Sequence, residues 1–332
     1  MAKIKNSRFY IWFISHPILV MIFQLVMALG LFEAFTEIFY FLVSFEMYNI
    51  YWVEFSNFGS MAFSEIAAWL MTFIISLLLG YRGLYQKPVV GFKTRWLLAM
   101  PFVLYVANIF VGNWFYCMYQ YTYVRLPISE GMLCILTYAF VGLYEELECR
   151  GLVLNICLKH LPQNTMGMWT ALIISSLIFG GGHIANYLNG GALLGVLHQM
   201  IFATGLGMLL GAIYLRTRSL LLVSILHGVY DFSLSLEEGF FKEIDFYESF
   251  NDSSWLSILP AVPCVILAIL MLRKGYECVK GVEISTQAQK VISNFTFGMF
   301  VLFVFSFGSF ILYYTGLTGM ERREILINLF GY

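Results

Sequence analysis

The chain has few charged residues and no excess of either sign. Charged side chains make up 12% of its 332 residues, and the formal net charge is -1. Proteins that bind nucleic acid carry a basic patch or stripe, whereas here no basic run stands apart from the ends of apolar segments. The sequence therefore argues against nucleic acid as a partner, and its small share of charge argues against an ordinary soluble enzyme.

Paired cysteines, internal repeats and low-complexity linkers are also lacking. The six cysteines occur singly, with no C-x-x-C pair, and most lie within apolar runs. This pattern is typical of cysteines that serve as small hydrophobic residues, and it indicates neither a disulfide framework nor a cysteine zinc site. With no repeat and no linker, the sequence predicts one integral-membrane domain over residues 1–332.

Long apolar runs dominate the sequence instead. Hydrophobic residues make up 60% of the chain, and about 20 consecutive apolar residues are enough to cross a bilayer as a helix. Counting such runs predicts an all-α fold, a polytopic transmembrane helical bundle of about eight or nine spans with a buried polar active-site cavity. The candidate spans are residues 9–31, 61–79, 96–115, 131–158, 167–182, 192–215, 220–236, 255–272 and 294–317.

The segments between the spans indicate how the chain lies in the membrane. Residues 32–60 are rich in aromatic side chains but are punctuated by glutamates, which favours an interfacial helix or a packed external loop over another span. If the spans alternate, the lysines and arginines of the loops fall on one side, which the positive-inside rule makes cytoplasmic. We therefore expect a multi-pass protein of the cell membrane, surrounded by the lipid bilayer.

One apolar run carries charges in its middle. Within residues 131–158, an otherwise uncharged stretch is interrupted by Glu145, Glu146, Glu148 and Arg150. As one helix, this run is roughly 42 Å long against about 30 Å for a bilayer core, so the charges should lie near mid-membrane. Ionisable groups there cost several kcal/mol unless they are paired or hydrated, which indicates a functional site.

Two later runs place polar residues at a similar depth. His183 follows three glycines, and His227 precedes Asp231 by about one helical turn. At about 1.5 Å per residue, Glu145 and His183 lie roughly 21 and 24 Å from the cytoplasmic ends of their helices. The same arithmetic gives roughly 14 Å for His227 and 20 Å for Asp231. We therefore predict that all four side chains face one cavity.

Spacing along the helix predicts which side chains cooperate. Glu145 and Glu146 are adjacent, so on a straight helix they point about 100° apart and should not face one spot. Glu146 and Arg150 are four residues apart, which suits an ion pair, and the same spacing makes His227 and Asp231 project together. Glu145 is left freer to act as a general base on water. A carboxylate and histidines around a water are what amide hydrolysis requires.

Three motifs in chain order carry a family resemblance. They resemble the CAAX prenyl protease and bacteriocin-processing family of intramembrane endopeptidases, known as the CPBP or Abi family. The likeness covers about a third of the chain, and we place the catalytic core at residues 129–236. The motifs are Glu145-Glu146-x-x-x-Arg150, Phe179-x-x-x-His183 and His227-x-x-x-Asp231.

The resemblance implies a role for each residue. Glu145 would be the base that activates water, with His183 as its partner. His227 and Asp231 would line the oxyanion or water site. The third motif commonly ends in Asn, whereas an ionised Asp231 is only a hydrogen-bond acceptor, so a donor role would require it to be protonated or replaced by His227.

The resemblance also implies a role for Glu146 and Arg150, and it raises the question of a metal cofactor. Glu146 with Arg150 would support the base. Two histidines and carboxylates are also ligands that suit Zn²⁺, but the H-E-x-x-H helix of many zinc peptidases is lacking. We favour a glutamate mechanism with no cofactor over a metal-dependent one.

The resemblance implies an intramembrane endopeptidase that cleaves a peptide bond in a membrane-associated peptide or protein. In bacteria, whose plasma membrane we favour as the location, such activity serves bacteriocin or pheromone processing, or self-immunity. An alternative is a catalytically silent membrane regulator that binds a partner such as a sensor kinase. A third reading, a proton-coupled transporter, is disfavoured because no inverted repeat is present and the polar groups cluster in one third of the chain.

Overall fold

The described part of the chain is helical. A computed structural model describes residues 15–44, 57–78, 88–121, 126–241 and 255–278, together with Trp12, Tyr81 and Phe250. No strand occurs among these residues. The predicted all-α class is therefore confirmed for this part of the chain.

The α-helices are labelled here in chain order. Their bounds are α1 Pro17–Ser44, α2 Asn57–Leu78, α3 Phe92–Gln120, α4 Ile128–Glu146, α5 Asn155–His160, α6 Thr165–Gly182, α7 Ala185–Leu188, α8 Leu193–Thr217, α9 Leu220–Leu234, α10 Leu236–Phe240 and α11 Ala261–Leu272. A π-helical segment, Leu147–Leu154, connects α4 to α5. Short 3-10 helices occupy Trp255–Ile258 and Gly275–Cys278.

The described residues contain part of the predicted set of spans. Six helical segments among the described residues are long and apolar enough to cross a membrane: Phe58–Leu78, Phe92–Gln120, Ile128–His160, Thr165–Leu188, Leu193–Thr217 and Trp255–Leu272. The predicted span 220–236 is helix α9, whose 15 residues extend about 22 Å, less than the thickness of a bilayer core of about 30 Å. The start of span 9–31 and all of span 294–317 lie outside the described residues, so eight or nine spans are not confirmed.

The segment after the first predicted span also differs. Helix α1 runs without a break from Pro17 to Ser44. Residues 32–44 therefore continue this helix, although the sequence favoured an interfacial helix or a loop there. Residues 45–56 lie outside the described part of the chain.

Helix α8 lies in the centre of the bundle, with fifteen buried residues along its length. Small residues let its neighbours come close: a Cβ added at Gly205 would lie 2.7 Å from Ala261 of α11. One added at Gly211 would lie 2.4 Å from Leu172 of α6. Because lipid tails are as apolar as the side chains, helices associate in membranes largely through such close packing. These contacts fix α6 and α8, the two helices that surround the polar centre on one side.

Helices α4 and α9 cross at a pair of glycines. A Cβ added at Gly142 would lie 2.3 Å from the carbonyl oxygen of Ser224, and one added at Gly228 would lie 2.4 Å from that of Tyr138. Only glycine allows the two backbones to approach this closely. The crossing lies one turn before Glu145 on α4 and one residue after His227 on α9. It therefore sets the distance between the motif that begins at Glu145 and the motif that begins at His227.

We expect Gly142→Ala to lower the melting temperature of the protein and to move Glu145 on α4 away from His227 on α9. Alanine favours a helix interior by about 1 kcal/mol over glycine, but here its methyl group would meet the Ser224 carbonyl oxygen at 2.3 Å, so α4 and α9 must move apart. Thermal unfolding in detergent measures the effect. Gly112→Ala in α3 is the matched control, because a Cβ there meets nothing within 4 Å. Equal melting temperatures for Gly142→Ala and wild type would contradict the close crossing.

Candidate active site

The polar centre begins where α4 changes to the π-helical segment Leu147–Leu154, all of whose residues are buried. Short π segments inside helices are frequent at functional sites. Side chains satisfy the carbonyl groups of this segment: Ser175 Oγ donates to the carbonyl oxygen of Cys149 at 2.8 Å. Asn155 Nδ2 donates to the carbonyl oxygen of Arg150 at 2.9 Å and to that of the next residue at 3.0 Å. The backbone that carries Arg150 is therefore held from two sides.

Arg150 is fully buried and has three partners. Its Nη1 donates to Glu146 Oε1 at 2.7 Å, and its Nη2 donates to the carbonyl oxygen of Gly207 at 3.0 Å. The guanidinium carbon lies 4.6 Å from the centre of the Phe179 ring, a cation–π contact. The ion pair predicted from the i, i+4 spacing of Glu146 and Arg150 is confirmed.

His227 lies among three carboxylates. Its Nδ1 is 3.1 Å from Glu146 Oε1, and its Nε2 is 3.2 Å from Asp231 Oδ2 and 3.7 Å from Glu145 Oε2. The predicted pairing of His227 with Asp231 is confirmed. As expected for adjacent helical residues, Glu145 and Glu146 point apart, and they contact opposite nitrogens of one imidazole. A ring inserted from α9 thus bridges two side chains that point apart on α4.

His183 joins the site through an aromatic ring. It follows the last residue of α6 and is half-buried. The Phe179 ring lies edge-on to both imidazoles, with centroid distances of 5.5 Å to His183 and 5.3 Å to His227. Glu145 makes its recorded histidine contact with His227, so direct partnership of Glu145 with His183 stays a prediction.

The two neighbouring glutamates differ in exposure. The Glu146 side chain is 0% exposed, whereas Glu145 is 31% and Asp231 is 21% exposed. The imidazole of His227, at 3%, lies between them. Glu145 and Asp231 therefore form the open side of the site, while Glu146 and Arg150 form its closed base.

Histidine, cysteine and carboxylate side chains are the usual ligands of a catalytic metal ion. Among the residues that the structure describes, no three His, Cys, Asp or Glu side chains are grouped so that they could hold a metal ion. The contacts of Glu146 are instead with a guanidinium and an imidazole.

The comparison with protein families bears on this site directly. A family model described as type II CAAX prenyl endopeptidase Rce1-like matches residues 127–233. The chain therefore carries an Rce1-like domain. The resemblance to the CPBP family, inferred from three short motifs, is confirmed over this third of the chain. No curated protein and no solved structure matched the chain.

The Rce1-like domain contains the six residues predicted to form the site. Helix α2 precedes the domain and carries a buried carboxyl group that sequence reasoning did not single out, that of Glu65. Asn155 and Ser175, which hold the π-helical segment, were missed as well. Each is a polar residue inside an apolar run, which is the signal that singled out Glu145.

Proposed function

We propose that this membrane protein is an intramembrane endopeptidase that cleaves a membrane-associated peptide or protein. The six long apolar helices among the described residues and the Rce1-like domain fit a multi-pass membrane protease. The observation that carries the proposal is the unequal placement of two adjacent carboxylates around one imidazole. Glu146 is locked against Arg150 at 2.7 Å, whereas Glu145 is partly exposed and lacks a guanidinium partner in the described part of the chain. Carboxylates in contrasting environments are the usual basis for dividing acid, base and supporting roles.

The proposed reaction uses water as the nucleophile. Glu145 takes a proton from a water molecule while the water oxygen forms a bond to the scissile carbonyl carbon, and the carbonyl oxygen becomes an oxyanion. The intermediate then collapses, the C–N bond breaks, and the proton held by Glu145 passes to the leaving nitrogen. The products are a carboxylic acid and an amine, and Glu145 is regenerated.

The other residues of the site position the groups that take part in the attack by water and in the breakage of the C–N bond. His227 holds Glu145 and Asp231 on its Nε2 side, at 3.7 and 3.2 Å, so the base and the second carboxylate face the same volume. Arg150 compensates the charge of Glu146, which in turn orients the imidazole at 3.1 Å. His183 follows the last residue of α6, and we propose that it contacts the substrate or the attacking water. We propose that no metal ion takes part and that the protein resides in a bacterial plasma membrane.

The test is cleavage of peptides by the purified protein in lipid nanodiscs. Wild type is compared with Glu145→Gln on synthetic farnesylated CAAX peptides and on unmodified leader and pheromone peptides, which also identifies the substrate class. We expect Glu145→Gln to lower kcat about 10²- to 10⁴-fold, the usual contribution of general base catalysis. Activity of the wild type should survive chelation by EDTA.

Glu130→Gln, in the first turn of α4, is the matched control and should retain wild-type activity. Cleavage by Glu145→Gln at the wild-type rate would overturn the endopeptidase mechanism. If Glu145→Gln also keeps the cellular phenotype while helix-surface variants abolish it, the protein is a silent regulator instead.

A further inference from the structure

Glu65 is a buried carboxyl group that the mechanism above does not use. It is 7% exposed, and its Oε2 atom has no hydrogen-bond partner among the described residues. No ion pair to a described residue within 4.0 Å is recorded for it. It belongs to α2, which precedes the Rce1-like domain.

The packing of α2 against α4 places Glu65 at the level of the site. Thr137 Oγ1 of α4 donates to the carbonyl oxygen of Phe58 at 3.2 Å, and further along the two helices Ala68 packs against Tyr144. The two helices therefore run in the same direction. At about 1.5 Å per residue, Glu65 is level with residues 141–144 of α4, about one turn or less before Glu145.

The electrostatic neighbours of Glu65 agree with this placement. It interacts with Glu145, Asp231 and His227, the three side chains on the open side of the candidate site. The site thus holds more carboxyl groups than cations. Arg150 is committed to Glu146, and His227 is shared by Glu145, Glu146 and Asp231.

An ionised carboxylate in this position would be costly. Transfer of a charge from water into a protein interior costs several kcal/mol when no opposite charge is in contact with it. Two further acidic side chains nearby add repulsion. A neutral carboxylic acid avoids both costs, and unlike a carboxylate it carries an O–H donor.

Few donors are directed at the open side of the site. Arg150 uses Nη1 and Nη2 on Glu146 and on the Gly207 carbonyl oxygen, and its Nε is buried without a partner among the described residues. Both nitrogens of His227 face carboxylates, which leaves His183 as the other imidazole beside Phe179. An ionised Asp231 only accepts hydrogen bonds. Hydrolysis of an amide nevertheless needs donors directed at the oxygen on which negative charge develops.

We infer that Glu65 is a further catalytic residue, a neutral carboxylic acid whose O–H group donates a hydrogen bond to the oxyanion formed during peptide hydrolysis. The inference rests on the proposed function, which it extends by one residue from outside the Rce1-like domain. The O–H proton stays on Glu65 throughout, so no bond to it is broken. An amide side chain at this position keeps a donor, whereas an aliphatic one does not.

The experiment compares Glu65→Gln with Glu65→Leu on the peptide that the wild type cleaves. Glu65→Leu should lower kcat about 10²- to 10³-fold, as does removal of one oxyanion donor elsewhere, with KM changed less than about threefold. Glu65→Gln should stay within about tenfold of wild type because its N–H₂ group replaces the O–H donor. Adding Asp231→Asn to Glu65→Leu should restore at least tenfold, because the amide supplies a donor while its oxygen still accepts from His227.

Ser76→Ala, three turns further along α2, is the control. Ser76 is buried and its hydroxyl group donates to the carbonyl oxygen of Thr72 in its own helix at 2.7 Å, so its loss should leave kcat unchanged. Full activity of Glu65→Leu, or an equal loss in Glu65→Leu and Glu65→Gln, overturns the donor role. When Glu145→Gln is inactive and Glu65→Leu is fully active, only this inference fails and the proposed endopeptidase stands.

A second measurement needs no substrate. Infrared spectra at pH 7 should show the carbonyl stretch of a protonated carboxylic acid in wild type that is lost in Glu65→Gln. Identical spectra in this region would overturn the neutral state of Glu65. Because glutamine is nearly isosteric with glutamic acid, this variant keeps the fold even where Glu65→Leu disturbs the packing of α2.

Discussion

Arg150→Met should lower the free energy of unfolding by about 3–5 kcal/mol, the loss typical of removing one partner from a buried ion pair. The substitution keeps most of the apolar volume, but it leaves the fully buried Glu146 without its contact at 2.7 Å. It also leaves the Gly207 carbonyl oxygen without the donor that lies 3.0 Å away. Because His227 Nδ1 remains 3.1 Å from Glu146, we expect the lower half of this range. Thermal and denaturant unfolding in detergent measure the change.

Two further variants separate the charge effect from a packing effect. Arg150→Met combined with Glu146→Leu should recover most of the lost stability, because a buried pair replaced by apolar residues is often neutral. The double variant should remain inactive, since the imidazole of His227 loses its Glu146 contact. Arg216→Met in the last turn of α8 removes a half-buried arginine and should cost about 1 kcal/mol or less. An Arg150→Met protein as stable as the wild type would show that the ion pair is not buried as described.

The spacing of residues along the chain was sufficient to predict the contacts within single helices. Glu146 with Arg150 and His227 with Asp231 lie four residues apart, so a helical backbone alone brings each pair together. Matching depths similarly indicated that α4, α6 and α9 contribute to one site. These contacts depend on helical geometry, which a pattern of charges in apolar runs is enough to reveal.

Contacts between helices could not be predicted in the same way. How far an imidazole from α9 reaches between Glu145 and Glu146 depends on the rotation of α9 against α4, which the close approach at Gly142 and Gly228 determines. A single sequence does not show which glycines meet across a bundle. Glu65 illustrates the same limit, because its buried position follows from the packing of α2 on α4. The hydropathy pattern showed it only as one charge in an apolar run.

The predicted span at residues 220–236 shows a related limit of hydropathy. Hydropathy marks residues that avoid water, and a short helix packed on its neighbours is as apolar as a membrane span. Helix α9 has 15 residues, and its buried side chains include His227. Its apolar character therefore reflects its place against α4 as much as contact with lipid.

Substitution of His227 should lower catalysis as much as substitution of Glu145. The imidazole lies within 3.7 Å of all three carboxylates of the site on α4 and α9. Without it, Glu145 and Asp231 lose the side chain that both of them contact. Glu145 is then no longer held in position to take a proton from the attacking water. We therefore expect His227→Ala to lower kcat about 10²- to 10⁴-fold.

The matched control for this variant is His198→Ala. Both histidines are buried, but His198 lies against Trp255, with ring centroids 4.5 Å apart, away from the carboxylates. Truncating either imidazole removes a similar volume, so both variants should lose comparable stability, and rates are compared per folded protein. His198→Ala should then cleave within about threefold of wild type. Equal rates for the two variants would mean that His227 only fills space, and Glu145 would have to act as a base without an imidazole beside it.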